Sequence, residues 1–249
     1  MSQKLKILCL HGYTQNGTMF NNKTSVVRKD LESLAEFVYI TAPHHIKPPT
    51  FSSEEAAEDD ISEEHKPYGW WYSPTYKPVK DGYFVGYMES IEYIQKILKE
   101  QGPFDGILGF SQGACFAALL TQYLETQSNG FDHHPPFKFA ILVSGFKPLV
   151  QEATNTMLSK DCPLKTPSLH YIGDFDTLVL PQKMMALTEA FQNPTIFRHS
   201  GGKSGPSNTV SKAKQTINDI DSVRAEEPGG GRSDGIQEHS HAIDVLLPE

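Results

Sequence analysis

Gly102-Pro103-Phe104-Asp105-Gly106-Ile107-Leu108-Gly109-Phe110-Ser111-Gln112-Gly113 runs without a break into Ala114-Cys115-Phe116-Ala117-Ala118-Leu119-Leu120. Residues 106–110 are short, uncharged and apolar throughout, the pattern of a buried strand. Residues 112–125 are rich in Ala and Leu, which favour a helix. The joint between them, Gly109-Phe110-Ser111-Gln112-Gly113, fits Gly-x-Ser-x-Gly. Three fixed positions in five arise by chance, but a strand before and a helix after make the match specific. The reason is steric. A serine in a tight strand-to-helix turn takes up strained backbone angles, and flanking glycines let neighbouring segments approach without a Cβ clash. The turn lifts the hydroxyl out of the sheet, and the helix N-terminus behind it favours developing negative charge. Ser111 is therefore a candidate nucleophile. The bland alternative is a serine capping an ordinary turn.

Working outward, the same apolar signal recurs at Leu5-Lys6-Ile7-Leu8-Cys9-Leu10, Phe37-Val38-Tyr39-Ile40, Phe139-Ala140-Ile141-Leu142-Val143 and Ser168-Leu169-His170-Tyr171-Ile172. Helical stretches lie between these runs. Residues 86–100 place Met88, Ile91, Ile94, Ile97 and Leu98 near one face, and residues 181–191 carry Met184, Leu187 and Phe191. Runs that are apolar throughout, alternating with helices, predict an α/β chain with a mostly parallel central sheet and helices on both faces. One domain over residues 1–225 accounts for this pattern. Residues 226–249 are a Gly-rich, polar, poorly patterned tail.

Residues 44–82 interrupt the rhythm with prolines and the acids Glu54, Glu55, Glu58, Asp59, Asp60, Glu63 and Glu64. They read as a surface insertion, or as a lid. At its far end Tyr68-Gly69-Trp70-Trp71-Tyr72 holds four aromatics in five residues, which either line an acyl pocket or anchor the insertion.

Bulk properties narrow the function classes. The 249 residues are 38% hydrophobic, enough for a well-buried core. The net charge of −8, without a basic stripe, argues against nucleic acid or an anionic membrane as partner. Three scattered cysteines (Cys9, Cys115 and Cys162) suit neither a disulfide framework nor a zinc site, and fit a reducing compartment. The chain has no signal-peptide layout and no apolar run of about 20 residues. A cytoplasmic protein, with a nuclear pool allowed, is expected.

Acyl chemistry at Ser111 requires an oxyanion hole. One donor is expected from the backbone N–H of Gln112, directly after the serine. The other is expected from the loop after an early strand, where His11-Gly12-Tyr13 offers the N–H of Tyr13. His11 is read as bracing that loop, since the chain order serine, acid, histidine places a base downstream. The acid is sought in Gly173-Asp174-Phe175-Asp176-Thr177, after the fifth apolar run. Asp174 and Asp176 are both candidates, and Asp176 is preferred. Its role would be to hold an imidazole in the right tautomer and to stabilise its charged form.

Leu10-His11-Gly12-Tyr13-Thr14-Gln15-Asn16-Gly17, the stretch 102–113, Pro135-Pro136-Phe137-Lys138-Phe139 and Ser144-Gly145-Phe146 together resemble the FSH family of serine hydrolases. That family includes the yeast FSH hydrolases and the animal ovarian-cancer-gene-2 esterases. The resemblance covers about residues 4–202. It implies an α/β-hydrolase fold and hydrolysis of carboxylic esters or thioesters, with Ser111 matching the nucleophile and Asp176 the acid. A small ester or thioester with an apolar acyl chain would be the substrate, and no metal or organic cofactor is implied.

The family's histidine lies in His-x-Gly-Gly-His-x-x-Pro. Here the frame reads His199-Ser200-Gly201-Gly202-Lys203-Ser204-Gly205-Pro206, with Lys203 where the base belongs. An ammonium cannot accept the serine proton at neutral pH unless its pKa is strongly depressed. Three explanations follow. The chain lacks a base and only binds a ligand; or another histidine supplies the imidazole; or the tail derives from a faulty reading frame. Among histidines, His241 is the first choice because it precedes the apolar Val245-Leu246-Leu247-Pro248, with His239 and His199 as alternatives. Val210, Ala213, Ile217, Ile220 and Val223 keep a helical spacing beyond the break.

Overall fold

Each of the five apolar runs becomes a strand in the computed structural model, which describes residues 3–47, 62–74, 77, 80, 83–128, 130–148 and 157–200. In chain order the elements are β1 (Leu5–Leu10), α1 (Gly17–Lys23), α2 (Ser25–Leu31), β2 (Ala35–Ile40), β3 (His44–His45), β4 (Tyr68–Gly69), α3 (Tyr87–Gln101), β5 (Gly106–Phe110), α4 (Gln112–Thr126), β6 (Phe139–Val143), β7 (Ser168–Gly173), α5 (Pro181–Thr188) and β8 (Pro194–His199). Six strands form one sheet in the order β2-β1-β5-β6-β7-β8, each neighbouring pair parallel. The short β3 and β4 pair antiparallel within the insertion.

The apolar runs are continuous because both faces of the sheet are covered. Strand residues alternate between two clusters. Leu8, Leu10, Ile107 and Leu142 join α3, α4 and α5 through Ile91, Ile94, Phe116, Leu119 and Leu187. Ile7, Cys9, Leu108 and Ile141 join α1 and α2 through Phe20 and Leu31 on the other face. Helix α4 is buried at every position from Gln112 to Thr121, the behaviour of a helix apolar all round.

Three details depart from the sequence reading. Met88 is 48% exposed, and Tyr87, one turn before Ile91, takes the buried place at the start of α3. Strand β8 is an additional element; as an edge strand it alternates partly buried with exposed positions, so it carries no continuous apolar signal. The helices α1 and α2 are also additional, each seven residues long and too short to show a period. Asn16 caps α1, its side chain accepting from the N–H of Met19 at 2.8 Å.

The topology decides where a ligand can sit. The chain leaves β1 for β2 on one side and later returns to β5 on the other. In open parallel sheets, the crevice outside the carboxyl ends of strands at such a switch point is where ligands bind. The register Leu10↔Gly109 sets the loops leaving β1 and β5 side by side at that crevice. No helix among the described residues is long and apolar enough to cross a membrane.

Phe116 is fully buried and meets the rings of Trp70, Trp71 and Tyr87. Phe116→Ala is expected to lower the unfolding free energy by about 3–5 kcal/mol, measured by urea titration, because the site is too constrained to collapse around the cavity.

Candidate active site

Ser111 sits between β5 and α4 with φ 53° and ψ −116°, in the region that disfavours side chains. The turn is held by close backbone packing. A Cβ on Gly109 would lie 2.4 Å from the Gly113 carbonyl oxygen, and one on Gly113 would lie 2.2 Å from that of Leu10. Only glycine fits at either place. The Ser111 N–H donates to the carbonyl of Val143 at 2.8 Å, tying the turn to β6. The serine side chain makes no capping bond to α4 and is partly exposed. Gln112 is the first residue of α4, so its N–H has no intrahelical acceptor. The turn thus presents a hydroxyl beside a helix N-terminus, a place that favours negative charge.

The loop after β1 lies against this turn: a Cβ on Gly12 would come 2.8 Å from the Phe110 ring. His11 is fully buried. Its Nε2 accepts the N–H of Ala42 at 2.9 Å and its Nδ1 bonds the Gly12 carbonyl at 2.8 Å, so the proton resides on Nδ1. Burial lowers its pKa to about 4. His11 is a neutral brace, as its place in the chain suggested. Tyr13 follows, partly buried, with its ring over Gly69.

The aromatic segment proves to be an anchor. Trp70 is 0% and Trp71 3% exposed, and both belong to the core beneath the crevice. The indole N–H of Trp70 donates to the His11 carbonyl at 2.9 Å. The side chain of Gln112 accepts the Trp70 backbone N–H at 2.9 Å and donates to the Trp71 carbonyl at 2.8 Å. This pairing of the serine turn with the insertion was missed from sequence; a buried polar residue inside Gly-x-Ser-x-Gly was its one signal. The acids Glu54, Glu55, Glu58, Asp59 and Asp60, and with them the lid reading, lie outside the described residues. Glu63 and Glu64 form an exposed 3-10 turn.

The two candidate acids differ in what they hold. Asp174 is engaged by Arg198 on β8, at 2.8 Å from Nε and 2.5 Å from Nη2. Asp176 is partly buried, and its Oδ1 accepts the N–H groups of Leu178 and Val179, each at 2.9 Å. Its Oδ2 makes no hydrogen bond among the described residues. Phe175, Leu178 and Leu180 flank it, 76%, 93% and 51% exposed.

Histidines are distributed unevenly over this rim. His199 ends β8 and leans over Gly173, where an added Cβ would lie 3.4 Å both from its Nε2 and from the Asp176 Cβ. It therefore neighbours Asp176. Strand spacing puts Gly173 of β7 about 10 Å from β5 and Ser111. The fold brings His199 and Asp176 together, and Ser111 together with the Tyr13 loop. Lys203, His239 and His241 lie outside the described residues, as does the helical stripe that begins at Val210.

A family model described as serine hydrolase (FSH1) matches residues 1–215. Esterase OVCA2 of Danio rerio is 35% identical over 230 residues, spanning 87% of this chain and 96% of that protein. An esterase of Aedes aegypti is 36% identical over 216 residues, 84% of this chain and 73% of its own. Among solved structures, SOBER1 of Arabidopsis thaliana superposes with a TM-score of 0.56 at 18% identity, covering 88% of this chain and 99% of that one. YahD, solved with malic acid, gives 0.55 at 14%, covering 88% and 95%. These two share the fold, which is that of the α/β-hydrolases.

The buried imidazoles yield an acid-stability prediction. Burial lowers the pKa of both His11 and His170 to about 4. Unfolded histidine titrates near 6.5, so the unfolded chain takes up protons first as the pH falls. Stability is fully present above about pH 6.5 and is lost as pH drops towards 4. Urea midpoints are expected to fall between pH 7 and pH 5, by on the order of 2–4 kcal/mol for the two groups together. The variant His170→Asn should show a shallower fall.

Proposed function

Because the chain belongs to the FSH1 family of serine hydrolases, we propose that it cleaves a small carboxylic ester or thioester by way of an acyl group carried on Ser111. The observation that supports this most directly is the strained turn at Ser111, held between β5 and α4 at the switch point of the sheet. Outliers of this kind persist where surrounding structure over-determines them, and they concentrate at functional sites.

In this reading the turn is a nucleophile elbow. Ser111 Oγ attacks the acyl carbon while an imidazole takes its proton. The backbone N–H groups of Tyr13 and Gln112 hold the carbonyl oxygen as it becomes negative. The imidazolium returns its proton to the leaving alcohol or thiol, and water then releases the acid by the same route. Asp176 orients the imidazole, and is preferred to Asp174, whose Oδ1 is engaged by Arg198. The exposed apolar side chains Phe175, Leu178 and Leu180 beside Asp176 favour an apolar acyl group.

The base is sought among the histidines downstream of Asp176, as the chain order serine, acid, histidine requires. His11, His134 and His170 are buried with ring nitrogens already bonded, and His44 bonds the Gly86 carbonyl. His199 neighbours Asp176 at Gly173. His241, which precedes Val245-Leu246-Leu247-Pro248, is the first choice, with His199 and His239 as alternatives. Cys9, Cys115 and Cys162 are unpaired, which suits a cytoplasmic setting.

Lys203 favours a second reading. An ammonium in the frame of the base suits a protein that binds an acid or ester on this scaffold without turning it over, Lys203 pairing with a ligand carboxylate.

A fluorophosphonate probe separates the two. Labelling of the parent chain is expected, with none in Ser111→Ala and a rate roughly a hundredfold or more lower in Asp176→Asn. His241→Ala should slow labelling by a similar factor, whereas a chain that lacks only the base should gain ester hydrolysis well above the parent in Lys203→His. A folded parent that takes no label would establish the binding reading instead.

A further inference from the structure

Gln112 carries an oxyanion donor on its backbone, and its side chain is also unusually committed. It is 4% exposed, in the first turn of a helix that is otherwise apolar there. Its Oε1 accepts the Trp70 N–H and its Nε2 donates to the Trp71 carbonyl. Both partners are backbone groups of the insertion, 41 and 42 residues earlier in the chain. Because one partner donates and the other accepts, a carboxamide alone satisfies both. A carboxylate would face the Trp71 carbonyl with a second acceptor, and an apolar side chain would leave two buried backbone groups unpaired.

Trp70 continues the link. Its ring is fully buried, and its indole N–H donates to the His11 carbonyl, the peptide that leads into Gly12 and Tyr13. Its own carbonyl accepts the hydroxyl of Ser90 on α3 at 2.5 Å. The circuit closes at Gly69. There an added Cβ would strike the Tyr13 ring at 2.8 Å and approach the Gln112 Oε1 to 3.3 Å. One short piece of the insertion thus touches both residues whose N–H groups are assigned to the oxyanion, and bonds the backbone leading to one of them.

We propose that the side chain of Gln112 and the indole of Trp70 are positioning residues, a strut that sets the N–H groups of Tyr13 and Gln112 at their mutual distance. This rests on the reading of Ser111 as nucleophile and deepens it. Oxyanion donors act only when held where charge develops. Loss of one such donor costs about 10²- to 10³-fold in rate, and a misplaced donor loses a fraction of that. A strut whose work is geometric affects the chemical step and leaves substrate binding alone.

The test uses the full chain and two variants that keep the core filled, Trp70→Phe and Gln112→Met. A short p-nitrophenyl ester provides kcat and KM, the fluorophosphonate provides the rate of labelling at Ser111, and thermal melting provides stability. Both variants are expected to lose about 10- to 100-fold in kcat and in labelling rate, with KM within twofold of the parent. In the ¹⁵N-labelled protein, Trp70→Phe should shift the Gln112 amide resonance and Gln112→Met that of Tyr13. Labelling rates within twofold of the parent in both variants, whatever happens to the melting temperature, would overturn the strut while leaving Ser111 as nucleophile. A folded parent that takes no label would overturn the underlying reading, and the strut with it.

Discussion

The contact on which the rim of this sheet depends is the passage of the Gly113 backbone beneath the carbonyls of Leu10 and His11. It brings the first turn of α4 against the end of β1 at a distance no side chain allows. The register of β1 with β5, the strained angles of Ser111 and the position of the loop through Tyr13 all follow from it. A backbone conformation in this part of the map costs on the order of 1–3 kcal/mol. It is over-determined here by β5 on one side and by a helix buried along its whole first half on the other. The bond from the Ser111 N–H to Val143 adds a third restraint.

Around this contact the fold has placed polar groups where apolar ones would be easier to bury. His11, Gln112, Ser90 and the indole of Trp70 are all buried, and each bonds a backbone group of another segment. A buried polar group left unpaired costs about 1–3 kcal/mol, so a partly formed network would be worse than a greasy one. Complete pairing turns the same groups into directional ties that fix angles as well as distances. Packing alone lets aromatic rings slide; an N–H aimed at the His11 carbonyl does not. The insertion, which reads in sequence as an addition to the surface, is thereby built into the wall of the site over residues 68–72.

What was legible in the sequence follows the range of the interactions. The turn at Ser111 is local: strand, five residues and helix are contiguous, and glycine at positions 109 and 113 is required by contacts a few ångströms away. The four inner strands β1, β5, β6 and β7 were legible because burial on both faces writes a nearly unbroken apolar run, and the edge strand β2 was legible because Phe37-Val38-Tyr39-Ile40 is apolar although only partly buried. Strand β8 was not, since the edge of the sheet leaves Thr195, Ile196 and Arg198 exposed and the run broken. Asp176 is preferred to Asp174 on the residues that follow it; the pairing of Asp174 with Arg198 was not legible, because that side chain arrives from another strand. The role of residues 68–72 stayed open between pocket and anchor. Their partners, Gln112 and the carbonyl of His11, lie about forty and sixty residues away, and backbone groups leave no mark in a sequence.

Lys203 bears on one part of this machinery and not on the other. The turn, the helix N-terminus and the two amide donors are backbone features, secured by packing among β1, β5, α4 and the insertion. An imidazole, by contrast, is a single side chain, and a change of one residue in the sequence removes it. The strain at Ser111 and the bonded ring from Gln112 through Trp70 to His11 are therefore independent of how the base is supplied. Under the proposed mechanism they would stabilise a negative oxygen beside a serine. General-base catalysis commonly contributes about 10²- to 10⁴-fold, and oxyanion stabilisation is usually the larger share. Under the proposed mechanism the source of the imidazole would set the speed of this site, while the backbone around Ser111 would set which chemistry it can perform.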